Sequence, residues 1–270
     1  MSDVLRKDDD RSIVIRHVSK TFTLRYHRTL KQMSVAMLRQ QDLSDSFLAL
    51  DDVSFTVRQG EAIGLMGLNG SGKSTLLKIV NGVMRPDRGK VLTRGRIAGL
   101  IATGAGFHPQ LSGRDNVYLN GAIMGMSEAE TRRKFDAIVE FADIGKFLDS
   151  PVGHYSSGMF ARLGFAVAIH VDADIFLADE VLAVGDRPFK KKCLAKMKEI
   201  RADGTTLFYV SHATSSVRAM CDRVIVLDKG RKAFDGDVDE GIRFLRYDED
   251  DEENSLESEA EMDEEMGADI

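Results

Sequence analysis

Short, wholly apolar runs separated by stretches of helical spacing set the rhythm of this chain. Ile175-Phe176-Leu177-Ala178, Thr206-Leu207-Phe208-Tyr209-Val210 and Val224-Ile225-Val226-Leu227 are too short for helices and have no polar face, as strands buried on both sides do. Residues 12–18 and 53–58 instead alternate apolar and polar positions, the pattern of edge strands. Buried strands alternating with helices predict an α/β fold with a largely parallel sheet. From about Ser112 to His170 that alternation stops. Successive helical patterns, with Asp115, Ser127 and Ser150 near their starts, predict a helical insert between two sheet strands. No internal repeat is visible, and Asp87-Arg88-Gly89, Gly204 and Asp235-Gly236-Asp237 read as turns.

One segment stands apart. Between Leu24 and Leu43, helical spacing puts Leu30, Met33, Met37 and Leu38 on one face, with Arg25, Arg28, Lys31 and Arg39 around it and no acid from Lys20 to Gln41. Two readings stay open: a helix packed on its own domain, or a basic amphipathic segment engaging an anionic membrane surface or a partner.

Composition changes the picture in two ways. The net charge of −6 conceals a division, because residues 248–270 hold 13 acids and no base. Removing those 13 from the chain's 43 acids leaves 30 against 37 basic residues, a balance of +7 over residues 1–247. The acidic stretch, with little apolar content, predicts a disordered, solubilising tail over 247–270, and residues 1–11 a flexible N-terminus. No apolar run reaches the roughly 18–20 residues that span a bilayer, and the start lacks the apolar core of a signal peptide, so a cytoplasmic location is expected. Cys193 and Cys221 show no metal or redox spacing and read as reduced packing residues.

The chemistry begins at residues 67–74. Gly67-Leu68-Asn69-Gly70-Ser71-Gly72-Lys73-Ser74 matches the G-x-x-x-x-G-K-[ST] phosphate-binding loop in full. It follows the apolar run Ala62–Met66 and precedes the helical pattern that starts at Thr75, the context the motif requires. Glycines let backbone N–H groups curl around an anion, and the helix N-terminus adds its positive end. Lys73 supplies charge to the β/γ-phosphates and Ser74 a hydroxyl to Mg²⁺. Downstream, the run 175–178 ends in Asp179-Glu180. A carboxylate at the end of a buried strand holds Mg²⁺ in such sites, so Asp179 is the metal candidate and Glu180 the residue placed to polarise an attacking water. Ser156, Ser157 and Gly158 begin a helix that offers N–H groups and hydroxyls to an anion. His212, after Val210-Ser211, is placed to donate a hydrogen bond to a γ-phosphate. The remaining histidines, His17, His27, His108, His154 and His170, read as packed.

Taken together, these motifs resemble the ATP-binding subunits of ABC transporters over about residues 12–246, with the helical subdomain at about 112–170. In the family's order, Walker A is 67–74, the signature Tyr155-Ser156-Ser157-Gly158-Met159, Walker B 175–180, the D-loop Leu182-Ala183-Val184-Gly185-Asp186 and the switch histidine His212. Phe22 matches the aromatic that stacks on adenine, with Tyr26 as fallback. Tyr-Ser-Ser-Gly-Met, Gly104-Ala105-Gly106-Phe107-His108-Pro109 and Ser112-Gly113-Arg114-Asp115-Asn116 are similar to the polysaccharide and teichoic-acid exporters, the Wzt-like subfamily. The long basic connection at 23–47 is similar to that group too, where it lies near the membrane entrance.

The resemblance implies an ATPase at the cytoplasmic face of the membrane. It would be docked on a Wzm-like integral-membrane permease and would export a lipid-linked glycan such as O-antigen, teichoic acid or galactan. Two copies would sandwich two Mg-ATP, with Ser156, Ser157 and Gly158 of one copy facing the nucleotide of the other, Asp186 nearby, and no nucleic acid involved. Two departures are visible. Ser157 and Met159 replace residues of the common Leu-Ser-Gly-Gly-Gln signature. The Q-loop glutamine has no clear counterpart near Ala102-Thr103, Gln110 being offset. The acidic tail stands where some relatives carry a carbohydrate-binding domain, so selection of finished glycan ends is not expected. The competing readings are another cargo, a soluble ABC-type ATPase, and a nucleotide sensor without turnover.

Overall fold

A computed structural model describes residues 10–25, 44–99, 106–179 and 186–245. Two sheets form the frame. The smaller is antiparallel, in the order β2-β1-β4, from β1 (Arg11–Arg25), β2 (Ser44–Arg58) and β4 (Arg88–Thr93). The larger has six strands in the order β5-β6-β7-β3-β8-β9, formed by β3 (Ala62–Met66), β5 (Ile97–Gly99), β6 (Ile175–Ala178), β7 (Thr206–Val210), β8 (Arg223–Asp228) and β9 (Arg231–Gly236). Its pairings are parallel except β8–β9. The four apolar runs singled out above lie in β3, β6, β7 and β8, and β3 to β7 are buried throughout where those runs fall.

Period-2 alternation divides each of these strands between two cores. Ile63, Leu65, Ile175, Leu177, Phe208, Val210, Ile225 and Leu227 face the small sheet, meeting Ile13, Ile15, Val53, Phe55 and Val57 together with Leu76 and Leu77 of α1 (Lys73–Val80). Ala62, Met66, Phe176, Ala178, Leu207, Tyr209, Val224 and Val226 face the other way, into a core built mainly from helices. Both faces are covered, which is why these strands have no polar side.

Helices connect and cover this frame. Between β5 and its parallel neighbour β6 run α2 (Gly113–Ile123), α3 (Glu128–Ala142) and α4 (Ser157–Ile169), with 3₁₀ turns at Gly145–Phe147 and Val152–His154. Ser112, Ser127 and Ser156 cap the three helices by accepting hydrogen bonds from Asp115, Glu130 and Met159 backbone N–H groups. Ser150 precedes a 3₁₀ turn, and the long helix starts seven residues later, at the true cap plus one. After β6 come α5 (Arg187–Ala202), α6 (Thr214–Met220) and α7 (Val238–Leu245). An ionic joint ties the insert to the sheet: Arg96, just before β5, donates from Nη1 to both Glu130 oxygens at 3.1 Å and from Nε to the Met124 carbonyl at 3.3 Å.

Two expectations are corrected. The 12–18 strand is central in its sheet, held between β2 and β4, and Ser12, Ile13, Val14 and Ile15 are all buried; its alternation reflects local polarity, not an edge position. The proposed helical face from Leu24 is shortened, because β1 pairs with β2 as far as Arg25↔Ser44, placing Leu24 and Arg25 in a strand. The cross-strand ladder satisfies their backbone groups, which outweighs the apolar spacing. The remainder of that basic segment, the residues near Ala102-Thr103, and the acidic tail lie outside the described residues.

Candidate functional site

The phosphate loop leaves the C-terminal end of β3, the strand between β7 and β8 at the middle of the large sheet. Its backbone needs glycine. At Gly67, φ is +143° and an added Cβ would lie 2.2 Å from the Leu227 carbonyl oxygen; at Gly72, φ is +105° and the Cβ would meet the Ala49 oxygen at 2.6 Å. Gly70, at φ +81°, opens onto free space. Gly72 is the N-cap of α1 and supplies no side-chain cap, so no side chain claims the first-turn N–H groups there.

Beside that loop is a cleft of about 200 Å³. Its walls are the loop from Asn69 to Thr75, Asp179 at the end of β6, Val210 and His212 at the end of β7, and Phe47 and Ala49 of β2. Three strand ends therefore converge on one point, as they must when parallel neighbours all finish on the same edge. Lys73 is buried and donates from Nζ to the carbonyl oxygens of Gly67 at 2.6 Å and Leu68 at 3.0 Å.

Partial burial shapes the charges. Desolvation lowers the Lys73 pKa, with Asp179 opposing it. Desolvation raises that of Asp179 against the pull of Lys73, Lys78 and His212. For His212, burial and then the Lys73 charge lower the pKa, so the imidazole is neutral at pH 7. An incoming polyanion and its counter-ion would meet groups already stripped of part of their water, where charge interactions are strong. The residues fit such a ligand on one further observation: Ser71 Oγ is buried in the cradle without a hydrogen-bond partner. An unpaired buried hydroxyl is costly unless something brings it a partner.

The sequence candidates thus separate. Asn69, Gly70, Ser71, Gly72, Lys73, Ser74, Thr75, Asp179 and His212 share the cleft. Gly67 forms its rear support and Leu68 is exposed. Ser156, Ser157 and Gly158 lie elsewhere, at the N-terminus of α4, and Asp186 caps α5. Phe22 is not among the cleft's walls; its ring lies under the Lys20 ammonium at 5.8 Å. Phe47, directly opposite Phe22 in the β1–β2 register and 49 % exposed, lines the cleft instead and was missed. Its signal was the pairing register, which the sequence does not display. Glu180, residues 182–185, Tyr26 and His27 lie outside the described residues, and Gln110 is exposed.

The packed reading of the histidines holds for His170, half-buried with Nδ1 2.7 Å from the Ala166 carbonyl. It fails for His17, His108 and His154, which are exposed. His17 sits at φ +51° on the β1 irregularity, its ring 2.7 Å from Asp52. The two motifs 104–109 and 112–116 prove to be one unit where described. The buried Asn116 side chain accepts from His108 N–H and donates to the carbonyls of His108, Leu111 and Ser112, and Phe107 packs edge-on against Phe160 of α4 at 4.9 Å.

Residues 50–183 match the ABC transporter family. The chain is 44% identical over 234 residues to the O-antigen export system ATP-binding protein RfbB of Klebsiella pneumoniae, covering 85% of this chain and 95% of that one.

The chain belongs to the ABC transporter ATP-binding family.

Further relatives share it in part. Identity to the ABC transporter protein AbcA of Aeromonas salmonicida is 48% over 191 residues, 71% of this chain and 62% of AbcA. To the teichoic acids export ATP-binding protein TagH of Bacillus anthracis it is 42% over 233 residues, 86% of this chain. This chain therefore spans under two thirds of AbcA and 42% of TagH. Among solved structures, the ATP-binding subunit of an ABC transporter superposes with a TM-score of 0.69 at 24% identity, covering 87% of this chain and 94% of that one. The fold is accordingly the α/β P-loop fold of ABC ATPases. Among the described residues no helix is long and apolar enough to cross a membrane.

Proposed function

We propose that this chain is the ATP-hydrolysing subunit of an exporter that moves a lipid-linked polysaccharide across the cytoplasmic membrane. The observation that carries the ATPase reading is the meeting of Lys73, Asp179 and His212 at one cleft under a complete phosphate loop. The cargo class follows from the relatives, whose names specify O-antigen export in one case and teichoic acids export in another.

In this reading the loop from Gly67 to Thr75 cradles the phosphates, with Lys73 turning from the Gly67 and Leu68 carbonyls to the β/γ-phosphates. Ser74 and Asp179 would hold Mg²⁺, which supplies charge neutralisation of the phosphates when bound. Glu180 polarises the attacking water, and neutral His212 donates to the γ-phosphate. Phe22 and Phe47 form the platform for the base. Ser156, Ser157 and Gly158 reach the nucleotide of a second copy, with Asp186 nearby at the end of the D-loop. Residues 12–246 act as one ATPase unit whose insert at about 112–170 carries the signature. The unit works as a homodimer on the cytoplasmic face of the membrane, peripheral to a Wzm-like permease, and the basic connection at 23–47 engages the membrane side of that assembly.

Two measurements test this. Glu180→Gln, assembled with the membrane partner, binds ATP and hydrolyses it slower by about a hundredfold or more; a wild-type rate overturns the assignment. Depletion in the source cell leaves a lipid-linked glycan in the cytoplasmic leaflet; unchanged glycan pools overturn the cargo.

A further inference from the structure

A phenol hydroxyl lies buried among apolar side chains behind the cleft. Tyr209, next to last in β7, faces the helical core, while its neighbours Phe208 and Val210 face the other. Its ring has room because the residues paired with it on both sides are small, Gly64 of β3 and Ala178 of β6. Gly64 leaves no space for more, since an added Cβ would lie 2.9 Å from Val217 Cγ1. A phenol in such a place is costly unless its hydroxyl is paired. Here it is hydrogen-bonded to the side chains of Ser211, just beyond β7, and Ser216, on α6.

Ser211 links that hydroxyl to the cleft. It is buried, and its Oγ accepts from the Ala213 backbone N–H at 3.1 Å, closing a turn whose middle residue is His212. Accepting from Ala213 leaves Ser211 its own hydrogen to donate to the Tyr209 oxygen. The backbone is therefore held on both sides of His212, by β7 before it and by α6, which starts at Thr214, after it. His212 lines the cleft together with Lys73 and Asp179, whereas Tyr209 is not among the cleft's walls.

We propose that Tyr209 is a positioning residue, whose hydroxyl fixes through Ser211 the turn that holds His212 at the cleft and thereby sets the rate of hydrolysis. This rests on the role given above to His212. Phenylalanine would fill the same space, so the core alone gives no reason for the oxygen. Phosphoryl transfer is catalysed by positioning and electrostatics, so a shift of about 1 Å at His212 is enough to slow it. Removing the oxygen leaves the ring packed, and a role in positioning is thus separable from a role in filling the core.

The test compares Tyr209→Phe, Ser211→Ala, His212→Ala and the double variant of Tyr209→Phe with His212→Ala against wild type, each as the complex with the membrane partner. Tyr209→Phe and Ser211→Ala each lower the single-turnover rate about tenfold, while ATP affinity stays within about threefold and the melting temperature falls by no more than about 4 °C. His212→Ala lowers the rate about a hundredfold, and adding Tyr209→Phe lowers it no further, because the hydroxyl acts only through the histidine. A wild-type rate in Tyr209→Phe beside a slow His212→Ala overturns the positioning role alone. So does a Tyr209→Phe effect that persists undiminished in the His212→Ala background, or a loss of rate that only tracks a loss of melting temperature. A wild-type rate in His212→Ala overturns the parent reading of that residue and the positioning role with it.

Discussion

Phe22 and Phe47 stand directly opposite each other across β1 and β2, yet it is Phe47 that lines the nucleotide cleft. Side chains opposite one another in an antiparallel pair lie on the same sheet face. The two rings therefore share a face, with Phe47 at the cleft that the phosphate loop also lines. Loss of one base–aromatic stack is worth about 1–3 kcal/mol, so Phe47→Ala weakens ATP binding by about tenfold. Phe47→Tyr retains affinity. Titration with a fluorescent ATP analogue measures both, and unaltered binding by Phe47→Ala removes that ring from the site.

Two glycines of the loop differ sharply in what they tolerate. A methyl at Gly67 collides with the Leu227 backbone, at a φ that L-residues avoid, and Gly67→Ala destabilises the fold by about 3 kcal/mol or more. At Gly70 there is room, and only the positive φ opposes the change, by about 1 kcal/mol. Urea denaturation separates the two. Gly70→Ala remains folded while losing ATP affinity, because its added methyl projects into open space at the cradle.

Acid weakens the joint between insert and sheet. Burial opposes ionisation of Glu130, but its hydrogen bonds and charge contact with Arg96, aided by Lys134, prevail and hold its pKa below the ordinary 4.5. A carboxyl with a lowered folded pKa contributes stability above its unfolded value and loses it as pH falls through the folded one. Wild type therefore loses stability progressively below about pH 4.5 through this group. Glu130→Gln is less stable at pH 7 by about 2 kcal/mol and shows a shallower acid limb. Thermal melts of both proteins between pH 3 and 7 check this; parallel curves would exclude Glu130 as a source of acid sensitivity.

Both cysteines are free, buried, and pushed by desolvation up to about 12, with neighbouring charges acting only second. Their thiolate population at pH 8 is negligible, and the thiolate is the nucleophile. Native protein incubated with iodoacetamide at pH 8 stays unlabelled, and unfolding in urea exposes both thiols to the reagent. Rapid labelling of the native chain would place a cysteine at the surface.

Much of the candidate site was legible because it is local. The loop 67–74 carries its own backbone requirements in its glycines, and β6 and β7 announce themselves as uninterrupted apolar runs ending in Asp179 and in Ser211-His212. The pairing order was not legible. Ser12–Ile15 show alternation whether they lie at an edge or at the centre of a sheet, and only the presence of β4 on one side and β2 on the other made them central. The exposed histidines were misread for a similar reason, since a histidine's surroundings come from elements distant in the chain.

The sequence alone determined the family and the phosphate-loop motif, because those depend on short-range backbone geometry and on chemistry within a few residues. Tertiary structure decided which residues share the cleft, that Phe47 rather than Phe22 borders it, and that Arg96 meets Glu130. Those facts depend on strand register and helix placement. Register and placement are set by how two cores are filled from opposite faces of the same strands, a condition satisfied by the whole chain at once.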